Sequence, residues 1–387
     1  MKKLRIDKVT AVSSLFPFIL LLLLLAVAAY LRLRGLEHSP ILGDQSILLN
    51  IAMHFVNSGE IPLAANKSSA GIMNPPLIAY LLSVPLFIKG TLTFVHLFQG
   101  VMGVTAVAVL AIYAQRLFGW RVALLASLLF AVNPWAVYYS RFIWNPNPIP
   151  LFSTLLLMSL LAYFAGNRHP IHLALAFLWL AAITQLHLSG LVLIAVLGIV
   201  MLIFWRRQPQ DSWLKAVAPI GFGLGLMLLL YWPFILFERA VGFGDLQAIA
   251  TALIGGSAPT DGIGVGEAAV NAASFLLVQE LATGNNVWHA INVSLDALGL
   301  WQWAARFAQL LFIASLLYAI FAPLVRWLRG RKQSKSIAQQ SPRHTALLIL
   351  AIWLLIPILL YLRHTVYLQN YYFLYILPAP FLATALM

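Results

Sequence analysis

The chain contains no cysteine. Disulfides and thiolate metal sites are thereby excluded, and the redox compartment leaves no mark on the sequence. Charge is almost as scarce. Only 9% of the 387 residues are charged and only 11 are acidic, against about a quarter charged in an ordinary soluble domain. Many windows of about 20 residues carry no charge at all, which is the length a bilayer core demands of a helix. What fills the gap is apolar: 62% of residues are hydrophobic. These proportions exclude a soluble enzyme and predict an all-α fold, a polytopic transmembrane helical bundle. The net charge of +13 does not indicate a nucleic-acid partner. The basic residues stand in short clusters between apolar runs, as the positive-inside pattern requires.

Read in order, the chain predicts about ten spans with the amino terminus inside. The first, 11–33, follows the basic head MKKLRIDK and has no small-residue cleavage site, so it is a retained span and not a signal peptide. Residues 34–91 form the first outer loop. Within it, 46–56 place Ile47, Leu48, Ile51 and Phe55 at helical spacing, as in a helix lying in the membrane interface. Residues 77–88 are too short to cross and follow a proline pair, so they read as a second interfacial or re-entrant piece. Further spans are predicted at 92–114, 122–139, 149–165, 171–183, 188–205, 217–237, 304–327 and 346–362, with a last apolar run from Tyr371. On this topology about 16 of the 24 basic residues fall inside. Nine of the 11 acids fall outside, where an outward-facing site would need carboxylates. Residues 238–301 are the longest outer segment, and their GIGVG lacks the strand–turn–helix setting of a nucleotide fingerprint. The basic stretch 329–343 is a plain inner loop. The whole, 1–387, reads as one transmembrane domain.

Four constellations carry chemistry. Asp44 follows a glycine turn and precedes the amphipathic segment, which sets a carboxylate at the membrane surface; Gln45 adjoins it. Asn74 opens the run NPPLIAYLL, whose prolines forbid a regular helical start. The second outer turn, 133–148, holds Arg141 among Tyr138, Tyr139 and Trp144, with Asn145 and Asn147 in Asn-Pro repeats. A guanidinium there suits a phosphate, and the aromatics suit a prenyl chain or a sugar face. A snorkelling arginine in an aromatic belt accounts for the same residues. His187 stands between two spans, and a lone histidine more often satisfies local hydrogen bonds than carries chemistry. Arg363, His364, Tyr367, Gln369, Asn370, Tyr371 and Tyr372 form the fourth set. In the long loop Asp261, Glu267, Glu280, His289 and Asp296 show no HExxH or other metal spacing.

In this order, an acidic first outer loop, NPPLIAYLL, NP followed by YYSR and Trp144, and a closing YYFLYILPAPFLATA resemble the polyprenyl-phosphate-sugar-dependent glycosyltransferases of the GT-C superfamily. The nearest branches are the protein O-mannosyltransferases and the lipid A aminoarabinose transferases. The resemblance covers 11–190 and the final segment. It implies transfer of a sugar from a polyprenyl-phosphate donor, with inversion, at the outer face of the cytoplasmic membrane. The acceptor, whether protein, lipid or glycan, is left open. Asp44 would serve as base and Arg141 as phosphate clamp. His187 would be a secondary contact, and Gln45, Asn74, Tyr139, Trp144, Asn145 and Tyr371 further binding residues. No cofactor is certain; a divalent metal is the one left open.

The sequence also departs from the pattern. Many relatives carry Asp-Glu where this chain has Asp44-Gln45, and those of the aminoarabinose branch carry an aspartate shortly after the second-loop arginine, in the region where Asn145 and Asn147 stand. It ends within an apolar run where relatives continue, as a truncated or short variant would. A transporter or flippase of a lipid-linked sugar, or a catalytically degenerate relative, is the alternative reading. A flippase would be expected to carry mid-span ionisable residues or an internal repeat, and neither stands out.

Overall fold

The computed structural model describes residues 8–39, 41, 43–68, 71–205, 213–254, 310–311, 313–323, 325, 341–361 and 370–387. Described elements are α1 Lys8–Leu33, α2 Gly43–Ser58, α3 Leu77–Ile88, α4 Leu92–Phe118, α5 Trp120–Val132, α6 Pro134–Tyr138 and α7 Ile149–Phe164. They continue with α8 Pro170–Leu186, α9 Val192–Trp205, α10 Trp213–Ala240, α11 Gly244–Ile254, α12 Ile313–Pro323, α13 Pro342–Tyr361 and α14 Pro378–Leu386. Helix prevails because a chain this apolar must satisfy its backbone groups within each segment. The structure is a polytopic helical membrane bundle. Four described segments are long and apolar enough to cross a bilayer, namely Leu15–His38, Leu92–Phe118, Val217–Ala240 and Pro342–Tyr361.

Helix α4 is the centre of the first half, packing on α1, α5 and α7. Its approach to α1 depends on glycine. A Cβ on Gly103 would lie 2.6 Å from the Ser140 Cβ and 3.1 Å from the Arg32 Cδ, so no larger residue fits without displacement. Helix α8 lies between α7 and α10, and α14 packs on α5 and α7. Phe130 of α5 stacks on Phe381 of α14 at 5.3 Å. The Trp353 indole of α13 donates to the Tyr375 carbonyl at 3.2 Å. These contacts carry the last apolar run back onto the first spans.

Two expectations need correction. The 122–139 run is not one helix: α5 stops at Val132 and α6 restarts at Pro134. Proline removes a donor, and the Asn133 carboxamide caps the new start by accepting from the Ala136 N–H at 3.0 Å. In α2 the buried face is Gln45, Leu48, Leu49 and Ala52, while Ile47 is 47% exposed. The stripe of α2 is therefore turned by one residue, because its packing partner is α3. The expected 304–327 span is described only in part, and 255–301 and the loop 329–340 lie outside the described residues.

Candidate active site

The candidate site is built where three turns meet: the segment between α6 and α7, the turn after α8 that holds His187, and the 3₁₀ turn Asn370–Ile376 that precedes α14. The start of α2 joins them only through the field of Asp44 at Tyr371. Asp44 stands exposed in the first turn of α2, where the helix dipole favours a carboxylate. Tyr371 is electrostatically coupled to it. Burial first, then Tyr372, then Asp44 push the Tyr371 phenol above its ordinary value. The hydroxyl therefore stays a proton donor. Trp144 meets Tyr371 edge-on at 4.3 Å between ring centres, and His187 lies 5.5 Å from Tyr371 and 5.1 Å from Tyr372. An aromatic wall thus runs from the α6 turn across to the 3₁₀ turn. Tyr139 extends it through Phe142, at 5.7 Å, but is itself only 8% exposed.

His187 follows the end of α8. Its Nδ1 accepts from the Ser189 backbone N–H at 3.2 Å and lies 2.9 Å from the Ser189 hydroxyl. With Nδ1 accepting, a neutral ring carries its proton on Nε2. Burial pushes the imidazole down to about 4, so it is a neutral donor at physiological pH. The Asn145 amide donates to the Leu186 carbonyl at 3.0 Å, which ties the α6–α7 turn to the residue before His187.

Other predicted residues are placed differently. Arg141 is half-buried and donates to the Leu31 and Arg34 carbonyls, both at 2.8 Å. These carbonyls end α1, where Gly35 takes a left-handed φ of 61°, and they lack helical partners. Two of the five guanidinium N–H groups are so engaged, leaving three. Burial and the neighbouring Arg34 lower its pKa, with Glu37 opposing. Asn74 belongs to a strap: its amide donates to the Asn66 Oδ1 at 3.1 Å and its N–H to the Asn66 carbonyl at 3.0 Å. Gln45 is buried on the face of α2 that packs inward. Arg363, His364, Tyr367 and Gln369 lie outside the described residues, as do Asp261, Glu267, Glu280, His289 and Asp296. Tyr372 and Ser189 complete the site although the sequence reading singled out neither as a ligand. Tyr372 was legible as a neighbour of Tyr371; Ser189 gave no signal. Among the described residues no three His, Asp or Glu side chains converge.

The sequence pattern of the dolichyl-phosphate-mannose-protein mannosyltransferase family matches residues 73–237. That stretch contains Asn74, Arg141, Trp144, Asn145 and His187, but neither Asp44 nor Tyr371. It also reaches past Gly190, where the sequence alone offered only generic similarity. No curated protein sequence matches the chain. Among solved structures, ArnT from Cupriavidus metallidurans bound to undecaprenyl phosphate is 14% identical with a TM-score of 0.59. The match covers 95% of this chain and 59% of that one. The archaeal oligosaccharyltransferase AglB from Archaeoglobus fulgidus, with an inhibitory peptide and dolichol phosphate, is 15% identical at a TM-score of 0.54. There the match covers 96% of this chain and 50% of that one. The chain thus spans between half and three-fifths of the length of these structures. In fold the chain is a multi-pass helical membrane protein similar to these two structures, and residues 73–237 carry the mannosyltransferase family pattern.

Proposed function

We propose that the protein transfers a sugar from a polyprenyl-phosphate donor to an acceptor hydroxyl or amine at the outer face of the cytoplasmic membrane, with inversion. The observation that carries this reading is the convergence of Trp144, His187 and Tyr372 on Tyr371, the one residue of the four whose phenol feels the Asp44 carboxylate. Aromatic faces beside a single carboxylate suit a sugar ring whose acceptor must be deprotonated. Asp44 takes the acceptor proton, the acceptor atom bonds to the anomeric carbon from one face, and the bond to phosphate oxygen breaks on the other. The leaving group is the polyprenyl phosphate, a dianion once freed, which Arg141 meets with its three remaining N–H groups. His187 adds a neutral Nε2–H donor. ArnT and AglB, each solved with a polyprenyl-type phosphate, supply the fold-level support for the lipid donor.

Release of polyprenyl phosphate from labelled lipid-linked sugars in proteoliposomes tests the reading. Loss of a general base costs about 10² to 10⁴ in rate, so Asp44→Asn is expected to fall in that range. Full turnover in Asp44→Asn would remove the carboxylate from the mechanism. Donor binding without turnover in wild type would favour the flippase.

A further inference from the structure

Arg32, in the last turn of α1, is completely buried, and among the described residues no carboxylate pairs with it. Its Nη1 donates to the Ala131 carbonyl at 2.7 Å and the Ala28 carbonyl at 3.3 Å, and its Nη2 to the Phe130 carbonyl at 3.1 Å. Phe130 and Ala131 belong to the last turn of α5, cut short at Asn133. Carbonyls there lack helical donors and carry the negative end of the helix dipole. They account for the charge but not for Nε, whose N–H is buried without an acceptor.

The missing partner faces the same small cavity. Arg32, Gly103, Ser140 and Asn147 line it, and it leaves about 10 Å³ of room for the centre of a water molecule, so one water fits. The Asn147 Oδ1 is buried without a donor. Its Nδ2 donates to the Phe142 carbonyl at 2.7 Å, which fixes which end of the amide is oxygen. One unpaired donor and one unpaired acceptor on a single gap select the occupant. A halide would satisfy Nε–H and press against the lone pairs of Oδ1. A cation would suit Oδ1 and be repelled by the guanidinium. A water molecule accepts from one and donates to the other.

We propose that this cavity holds one ordered water, and that Arg32 acts through it as the positioning residue for the 139–148 turn. Arg32 holds the end of α5, and the water passes that hold to Asn147, just before α7. The turn between them carries Arg141, Trp144 and Asn145. The link is reciprocal, since Arg141 in turn caps the end of α1. Only the kinetic consequence rests on the proposed sugar transfer.

The test is structure determination at a resolution that shows ordered solvent, on wild type and Asn147→Leu, with donor kinetics on both. Wild type is expected to show one water within hydrogen-bond distance of Arg32 Nε and Asn147 Oδ1. Asn147→Leu should lose it, with the 139–148 turn displaced and α1 and α5 unmoved. Its KM for the lipid donor should rise on the order of tenfold with a smaller change in kcat, a split that a loss of folded protein would not produce. Arg32→Lys, which keeps the charge and lacks Nε, is the second variant should Asn147→Leu fold poorly, and should lose the same water. A dry wild-type cavity overturns the proposal. A water present in wild type with donor KM and turn both unchanged in the variant overturns the positioning role. If wild type transfers no sugar, the functional reading fails, and solvent density and turn displacement alone decide this one.

Discussion

Single side chains decide where this bundle breaks, and Asn133 is the clearest case. Its carboxamide oxygen accepts from the Ala136 N–H at the start of α6, while Pro134 has no N–H to carry α5 onward, and the break leaves free the carbonyls that Arg32 collects. Asn133→Ala removes the cap and is expected to cost about 1 kcal/mol of stability, measurable by chemical denaturation in detergent. His187 belongs to the same scale. Its folded pKa, about 4, lies below the ordinary histidine value near 6.5, so the unfolded chain binds the extra proton between the two. Stability from this group is present above pH 6.5 or so and is lost as pH falls toward 4. A His187→Gln variant should show a shallower fall in melting temperature over that window; parallel curves would contradict the burial of a neutral ring.

At the scale of elements, the α1–α4 seam is the most constrained. A methyl on Gly103 would crowd both Ser140 and the Arg32 side chain. Gly103→Ala is expected to destabilise by about 1 to 3 kcal/mol, the range for overpacking a filled core, while Gly198→Ala, with open space around its Cβ position, should be neutral or slightly stabilising. Thermal unfolding followed by tryptophan fluorescence distinguishes them. Helix α2 shows where periodicity fell short. Its spacing correctly announced a helix, yet the pattern could not say that α3 would cover Leu48, Leu49 and Ala52 and leave Ile47 outside. Helix α3 was legible to the residue, because the proline pair ahead of it and the polar Lys89-Gly90 after it leave one apolar run.

For the whole molecule, orientation is the property most open to direct measurement, and the lack of cysteine makes it simple. Ser46→Cys, beside Asp44 and exposed, is expected to react with a membrane-impermeant maleimide from outside intact cells. Ser334→Cys, in the basic loop, should react only after permeabilisation. The reverse pattern would turn the candidate site to the cytoplasm and exclude an outer-face transfer. Much of the candidate site was legible before the fold: Asp44, Trp144, Asn145, His187 and Tyr371 each stand out as a polar or aromatic residue beside a span. Arg32 was not, because an arginine at a span's end reads as a topological charge. Only its burial reveals another role.

Composition and order alone determined that this chain lives in a bilayer as a helical bundle, since scarce charge and long apolar runs leave the backbone no other way to satisfy itself there. They also determined which turns would carry polar groups, because such groups stay at the ends of spans. The tertiary structure decided which of those turns meet. Residues 44, 144, 187 and 371 are far apart in sequence, and no periodicity encodes the packing of α14 against α5 and α7 that brings the last of them home. It also decided that Arg141 spends part of its hydrogen bonding on α1 and that Asn74 spends its amide on Asn66. Hydrogen-bond partners are a property of proximity, and proximity between distant segments is set by packing.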